Sequence, residues 1–268
     1  MKNLLFSLLF VALLLGCKST PEETSQPEPA PVEEASANFE RGISYYESYD
    51  FHQAISEYTE AIRKDPAMAS AHINRGNVHS GRLEHEKALA DYLAGARLDG
   101  SYDHYARGYF LLMAKEYRAA IEEFTQAILR NNNIVAAYND RGMAYAHLGN
   151  YDMAIADYNE AIARNPNSVF PFNNRGNAFY MQANYDSAIE DFSRAIQLFP
   201  EMALPYSGRG MSHFKKKDYD PAIEDLTKAI ALRPGEASFY TSRGNAYSAK
   251  GERSLAADDF ATARNLRN

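Results

Sequence analysis

The stretch Val135–Ser168 reads VAAYNDRGMAYAHLGNYDMAIADYNEAIARNPNS. Two runs with apolar residues at helical spacing flank Gly149-Asn150-Tyr151, a turn signal, and Pro166 stops the second run. Small residues stand where the helices of such a hairpin cross: Gly142 on the first, Ala154 on the second, and Ala161 toward the next hairpin. Tyr138, Tyr145 and Tyr158 fill the wider gaps, and Ile155 and Ile162 extend the apolar face. One such hairpin leaves apolar surface uncovered, so it needs neighbours and the stack becomes a solenoid.

The other copies are marked by an Arg-Gly pair: Arg41-Gly42, Arg75-Gly76, Arg107-Gly108, Arg141-Gly142, Arg175-Gly176, Arg209-Gly210 and Arg243-Gly244. The glycines lie 34 residues apart except Gly76 to Gly108, which is 32. Seven units follow, 35–68, 69–100, 101–134, 135–168, 169–202, 203–236 and 237–268. The second is irregular: Gly95 replaces the usual Ala and Gly100 stands where a Pro is expected, which predicts a tighter connection. In the last unit Ala257 and Arg264 replace the isoleucines of earlier second helices, as suits the polar outer face of a terminal repeat. Asp152, Asp186, Asp220 and Ser254 are expected to cap the second helices, with Pro221 at the first helical position.

The spacing of Tyr138, Gly142, Tyr145, Ala154, Tyr158, Ala161 and Pro166 resembles the tetratricopeptide (TPR) signature, a 34-residue helix–turn–helix. The resemblance implies an all-α fold, a right-handed superhelix of seven hairpins. In that family the first helices line a concave groove in which partners lie as extended or helical segments. The family pattern has Leu before the Gly; here it is always Arg.

An Arg between packed helices is costly unless paired. Sixteen residues after each Arg stands an acid: Glu57, Asp91, Glu123, Asp157, Asp191, Asp225 or Asp259. The expectation is a structural ladder of Arg–carboxylate bonds, Arg141 with Asp157, Arg175 with Asp191 and Arg209 with Asp225 among them. The alternative is an anion-binding row of arginines. Spacing leaves open whether each acid pairs within its unit or with the next.

Ahead of the repeats, residues 1–16 carry Lys2, a short apolar run and Leu14-Leu15-Gly16, and read as a signal segment. Leu-Leu-Gly-Cys resembles the lipobox of bacterial lipoproteins, which implies cleavage before Cys17 and its acylation. Cys17 is the only cysteine, so no internal disulfide is possible. Lys18 follows, and by that resemblance the absence of Asp there favours the outer membrane. Residues 17–34, rich in Pro, Glu, Ser and Thr, read as a tether with too few apolar residues for a core.

No catalytic constellation is legible. The seven histidines are scattered over repeat positions, no second and third ligand stand at metal spacing, and no phosphate loop occurs, so neither an enzyme nor a cofactor is expected. A net charge of −7 argues against a nucleic-acid partner. Function is expected on the concave face, where Tyr105, Tyr109, Asn139, Met143, Phe170, Asn173, Asn177, Tyr180, Met211 and Asn245 form the row assigned to a protein or peptide partner. Positions that are basic in carboxylate-clamping TPR domains hold residues such as Phe39, Asn77, Tyr102, Asp140 and Asn174, which argues against a chain-terminal carboxylate as ligand. The expected function is a non-enzymatic, lipid-anchored envelope scaffold. The alternative is a lipoprotein that holds a small hydrophobic ligand or serves a transporter. The oligomeric state is not legible.

Overall fold

The computed structural model describes residues 31–267; the signal segment, Cys17 and the tether as far as residue 30 lie outside them. Among the described residues the chain is helical, with no strand. Seven antiparallel hairpins follow one another: α1 (Pro31–Glu47) with α2 (Phe51–Lys64), α3 (Ala69–Gly81) with α4 (His85–Leu98), and α5 (Asp103–Met113) with α6 (Tyr117–Arg130). Then come α7 (Val135–His147) with α8 (Tyr151–Arg164), α9 (Val169–Met181) with α10 (Tyr185–Leu198), α11 (Ala203–Lys216) with α12 (Tyr219–Leu232), and α13 (Ala237–Lys250) with α14 (Arg253–Asn265). Each second helix packs on its own first helix and on the first helix of the next unit, so the stack coils into a superhelix.

Within a hairpin the glycine of the Arg-Gly pair lies against an aromatic ring. A Cβ on Gly142 would stand 2.7 Å from the Tyr158 ring, and one on Gly108 2.7 Å from Phe124. Tyr58, Tyr92, Phe124, Tyr158 and Phe192 are consequently buried at one position of successive units, with Leu226 in the sixth. Gly95 replaces an alanine because the Ile73 side chain fills the space its Cβ would take, at 2.6 Å.

All seven hairpin turns close the same way, with one bond from the cap N–H of the second helix to a carbonyl near the end of the first, as in Asp50 to Tyr45, Asn150 to Tyr145 and Glu252 to Tyr247, each 2.9 Å. The residue before the cap adopts positive φ. Gly149 and Gly251 do so without penalty, whereas Tyr49, Leu83, Lys115, Ala183 and Lys217 do so against their Cβ.

Two expectations are corrected. The second helices begin two residues earlier than Asp152, Asp186, Asp220 and Ser254 would place them: the caps are Asn150, Asn184, Asp218 and Glu252, and Asn184 accepts from Ser187 N. Asp152, Asp186 and Asp220 fall in the first turn, where they favour the helix dipole and reach the next unit. Asp152 accepts from Gln182 at 2.7 Å, Asp220 pairs with Lys250 at 2.7 Å, and Asp186 pairs with Lys216. Pro221 is the third helical residue, still ahead of the first N–H that an intrahelical bond requires. The second correction concerns Pro31–Glu34, which composition gives to the tether but which open α1. Glu33 and Glu34 sit at its positive end, Glu34 pairs with Lys64 at 2.8 Å, and Ala35 is fully buried.

The short second unit ends in a single 3-10 turn, Gly100–Tyr102. The first superhelical turn closes on itself: Tyr49 stacks on Phe199 with centroids 4.8 Å apart, Phe51 meets the same ring edge-on, and Tyr49 Oη donates to the Asn167 carbonyl. Gly81, at the end of α3, accommodates the Phe170 ring of α9.

Candidate partner groove

The closed turn borders an open cavity of about 600 Å³ on the concave side, lined mainly by the first helices of units one to five, with Tyr58, His85 and Tyr92 from second helices. Seven of the ten residues assigned to the groove line it: Tyr105, Tyr109, Asn139, Met143, Phe170, Asn173 and Asn177. Tyr180, Met211 and Asn245 do not: Tyr180 packs on Tyr185 at 5.6 Å, Met211 is half-buried and Asn245 is exposed further along the array. Asn177 also lines a smaller cavity of about 230 Å³ between units four and five, with Met143 and Tyr158.

The lining residues play two parts. Tyr105 and Tyr109 are each 1 % exposed, so they are walls rather than projecting contacts. Tyr92 meets both edge-on, with centroids 4.9 and 4.8 Å away. Burial holds these phenols in the neutral form, and the Tyr109 hydroxyl is pushed up to about 12. Tyr92 Oη donates to Asn77, and His85 Nδ1 lies 2.9 Å from Tyr109 Oη. The amides of α7 and α9 form a directed chain: Asn173 Nδ2 donates to Asn174 Oδ1 at 3.4 Å, Asn174 Nδ2 to Asn139 Oδ1 at 3.0 Å, and Asn139 Nδ2 to Asp140 Oδ1 at 3.0 Å.

Asp140 is the residue that sequence reading passed over as a functional group. It is 6 % exposed, lines the cavity and accepts from Tyr105 Oη at 2.9 Å, yet among the described residues no Lys or Arg lies within ion-pair distance. Burial raises its carboxyl to about 6, against the bonds from Asn139 and Tyr105, which lower it. The available signal was position: only Glu40 and Asp140 are acids directly preceding an Arg-Gly pair.

The arginines point away from this cavity. Arg75, Arg141, Arg175, Arg209 and Arg243 each fork onto the acid of their own unit, as Arg141 does with Nε and Nη2 at 2.9 and 2.7 Å from the two Asp157 oxygens. The remaining Nη1 donates backward to the preceding unit, to Thr59, Thr125, Asn159, Ser193 and Thr227 in turn. Each of these arginines thus bonds both helices it lies between.

Two histidines pair with acids of their own units, whereas Nδ1 of His72 and of His213 is buried without a hydrogen-bond partner. His104 Nδ1 lies 2.6 Å from Glu123 and His79 Nδ1 2.8 Å from Glu84. Among the described residues no helix is long and apolar enough to cross a membrane, and no group of three or more His, Cys, Asp or Glu could hold a metal ion.

Comparison with known proteins agrees with this geometry. Family models described as Tetratricopeptide repeat match residues 135–168, 170–202 and 203–236, and a second one matches 39–103. No curated protein matches the chain. Among solved structures, MamA is 26% identical, with TM-score 0.55 over 60% of this chain and 94% of its own. A tetratricopeptide repeat protein from Parabacteroides merdae is 22% identical, with TM-score 0.51 over 87% and 93%. The APC/C hetero-tetramer Cut9-Hcn1 gives 20% identity and TM-score 0.63 over 80% of this chain and 43% of that one. With stacked hairpins and matched repeats across most of its length, the chain belongs to the tetratricopeptide repeat family.

Proposed function

We propose that this chain is a non-enzymatic scaffold that takes up a segment of a protein partner in its concave groove. The observation that carries the reading is the cavity itself, where Asn77, Asn139 and Asn177 lie among Met143, Phe170 and tyrosine rings. Amides can bond a peptide backbone without reading its sequence, and Met and aromatic side chains adapt to varied apolar contacts. Tyr180, Met211 and Asn245 would continue the contact along the later units. The segment Leu14–Cys17 supports acylation of Cys17 and a tether that holds the array at a bacterial envelope membrane, the outer membrane by its Lys18. Assembly or localisation of an envelope complex is the role that fits such a scaffold.

The test is site-specific photocrosslinking from Asn77, Met143 and Asn177, with Glu190 on the outer surface as control. A partner captured from the three groove positions and not from Glu190 is the expected result; equal capture from all four would remove the groove as the site. Anchoring is tested by labelled palmitate, which should enter the protein and be lost in Cys17→Ala.

A second reading, a small apolar ligand held in the cavity, draws on the contact of Tyr49 with Phe199 that closes the turn. A co-purifying organic molecule seen by native mass spectrometry, released by Tyr49→Ala, would favour it over a peptide.

A further inference from the structure

We propose that the groove contains a subsite for one lysine side chain of the bound segment, with the carboxylate of Asp140 as its acceptor. The inference deepens the peptide-groove reading and rests on it.

It begins with a contrast among buried acids. Asp91, Asp157, Asp191, Asp225 and Asp259 are 4–6 % exposed, and each is forked by an arginine. Asp140 is buried to the same extent and, among the described residues, has no cation. A carboxylate that is out of water and unpaired is costly, and a ligand bearing positive charge relieves that cost.

A second observation is independent of charge. Asn173 is 5 % exposed and lines the same cavity, and its Oδ1 is buried without a hydrogen-bond partner. The amide chain that links it to Asp140 runs in one direction, with Nδ2 of Asn173, Asn174 and Asn139 each donating to the next residue. Asn173 Oδ1 is thus an open acceptor on the lining that also holds the cationless Asp140. Asp140 asks for a positively charged donor, and an ammonium offers three donors and no acceptor.

Asp140 also discriminates between the two basic side chains. Its Oδ1 already accepts from Asn139 and its Oδ2 from Tyr105, so a guanidinium fork competes with an existing bond at both oxygens, whereas an ammonium needs only one. An ammonium approaches one oxygen from any free direction. Tyr92, Tyr105 and Tyr109 wall this part of the cavity, apolar enough to seat a four-carbon stem. Glu47 lies on the same lining, and among the described residues Arg233 is its only Arg or Lys.

The experiment pans a random peptide library on the full chain, then compares synthetic copies of a selected peptide carrying Lys, Arg or norleucine at the selected position. Selected peptides should share one lysine position, and norleucine there should weaken binding about tenfold or more, the scale of one charge-assisted contact. Arginine should fall between them. Asp140→Asn should erase the Lys-over-norleucine preference. Peptides that bind without a basic preference, or a preference that survives in Asp140→Asn, would overturn the lysine subsite while the groove stands. n-Butylamine matching the peptide's affinity would overturn the peptide as occupant. A library that yields no binders would remove the groove reading and the subsite with it. The wild-type comparison of three peptides needs no variant, so the proposal is tested even if Asp140→Asn unfolds.

Discussion

Units three and four stand side by side and carry the same Arg-Gly pair, yet their rungs differ. In unit four Arg141 forks onto both oxygens of Asp157, and the side chains are 17% and 7% exposed. In unit three Arg107 reaches Glu123 through one oxygen, Oε2 at 3.1 Å, and turns its other nitrogens to Asp103 and His104, with side chains 44% and 27% exposed. The extra methylene of Glu carries the carboxylate off the edge that the fork needs. The residue three before the Arg differs as well. Asn38 and His104 bond the glutamates of units one and three, at 2.6 Å each, whereas Tyr138, Phe172, Tyr206 and Tyr240 lie beneath the guanidinium of units four to seven, 5.6–6.0 Å from it. Titration behaviour diverges likewise. Burial raises the Asp157 carboxyl against the pull of Arg141, while in Glu123 burial is outweighed by the bonds from His104 and Arg107 and the carboxyl falls below its usual range. Asp and Glu are thus not equivalent rungs of this array.

Removing the acid from each rung sharpens the comparison most. Asp157→Ala leaves Arg141 mostly buried and unpaired and should cost about 4 kcal/mol in urea unfolding; Glu123→Ala, at a more solvated pair, should cost about 1 kcal/mol or less. Equal losses would break the distinction.

Unit four supplies the next test, because Asp140 is as buried as Asp157 but lacks the cation. With its folded carboxyl raised to about 6, the folded state holds a proton that the unfolded chain releases near pH 4, so stability is fullest below pH 4 and falls as pH rises through 6. Asp140→Asn should therefore be more stable than wild type at pH 7.5, by up to about 3 kcal/mol. The gap in melting temperature should close toward pH 4; a gap independent of pH would exclude the charge as its cause. Over this window Tyr46, Tyr92, Tyr105, Tyr109 and Tyr158 around Asp140 stay protonated, and His85 and Glu47 on the cavity lining are the other groups to control.

If rungs rather than turns distinguish the units, relieving turn strain should help each unit alike. Leu83→Gly and Ala183→Gly, both at positive φ, should each gain about 1 kcal/mol. Smallest is the missing back-bond of unit two, where exposed Leu93 occupies the position of Thr59 and Thr125 and Arg107 finds no hydroxyl. Leu93→Thr should add about 0.5 kcal/mol by restoring it.

Most of the architecture was legible because the helical hairpin is a local object. Gly142 and Tyr158 must meet wherever the unit sits, and seven repeats of that spacing admit one stack. The cap positions were misjudged by two residues because Asp152, Asp186 and Asp220 look like caps but serve the neighbouring unit through Gln182, Lys216 and Lys250. For the groove, the lining row was readable from helix periodicity as far as Asn177. The inward burial of Tyr105 and the isolation of Asp140 were not, since both depend on how far the stack curls. The contact of Tyr49 with Phe199 that closes the turn joins units too far apart to leave a trace in a 34-residue pattern.

That same contact changes what kind of object the array is. A solenoid that touches only next neighbours loses equal increments when hairpins are deleted one by one. Here, deletion of hairpins six and seven spares the ring, but deletion of the fifth also takes Phe199 from Tyr49 and Phe51 and uncovers the first. The leading five are thus tied end to end by contacts that the trailing two do not share.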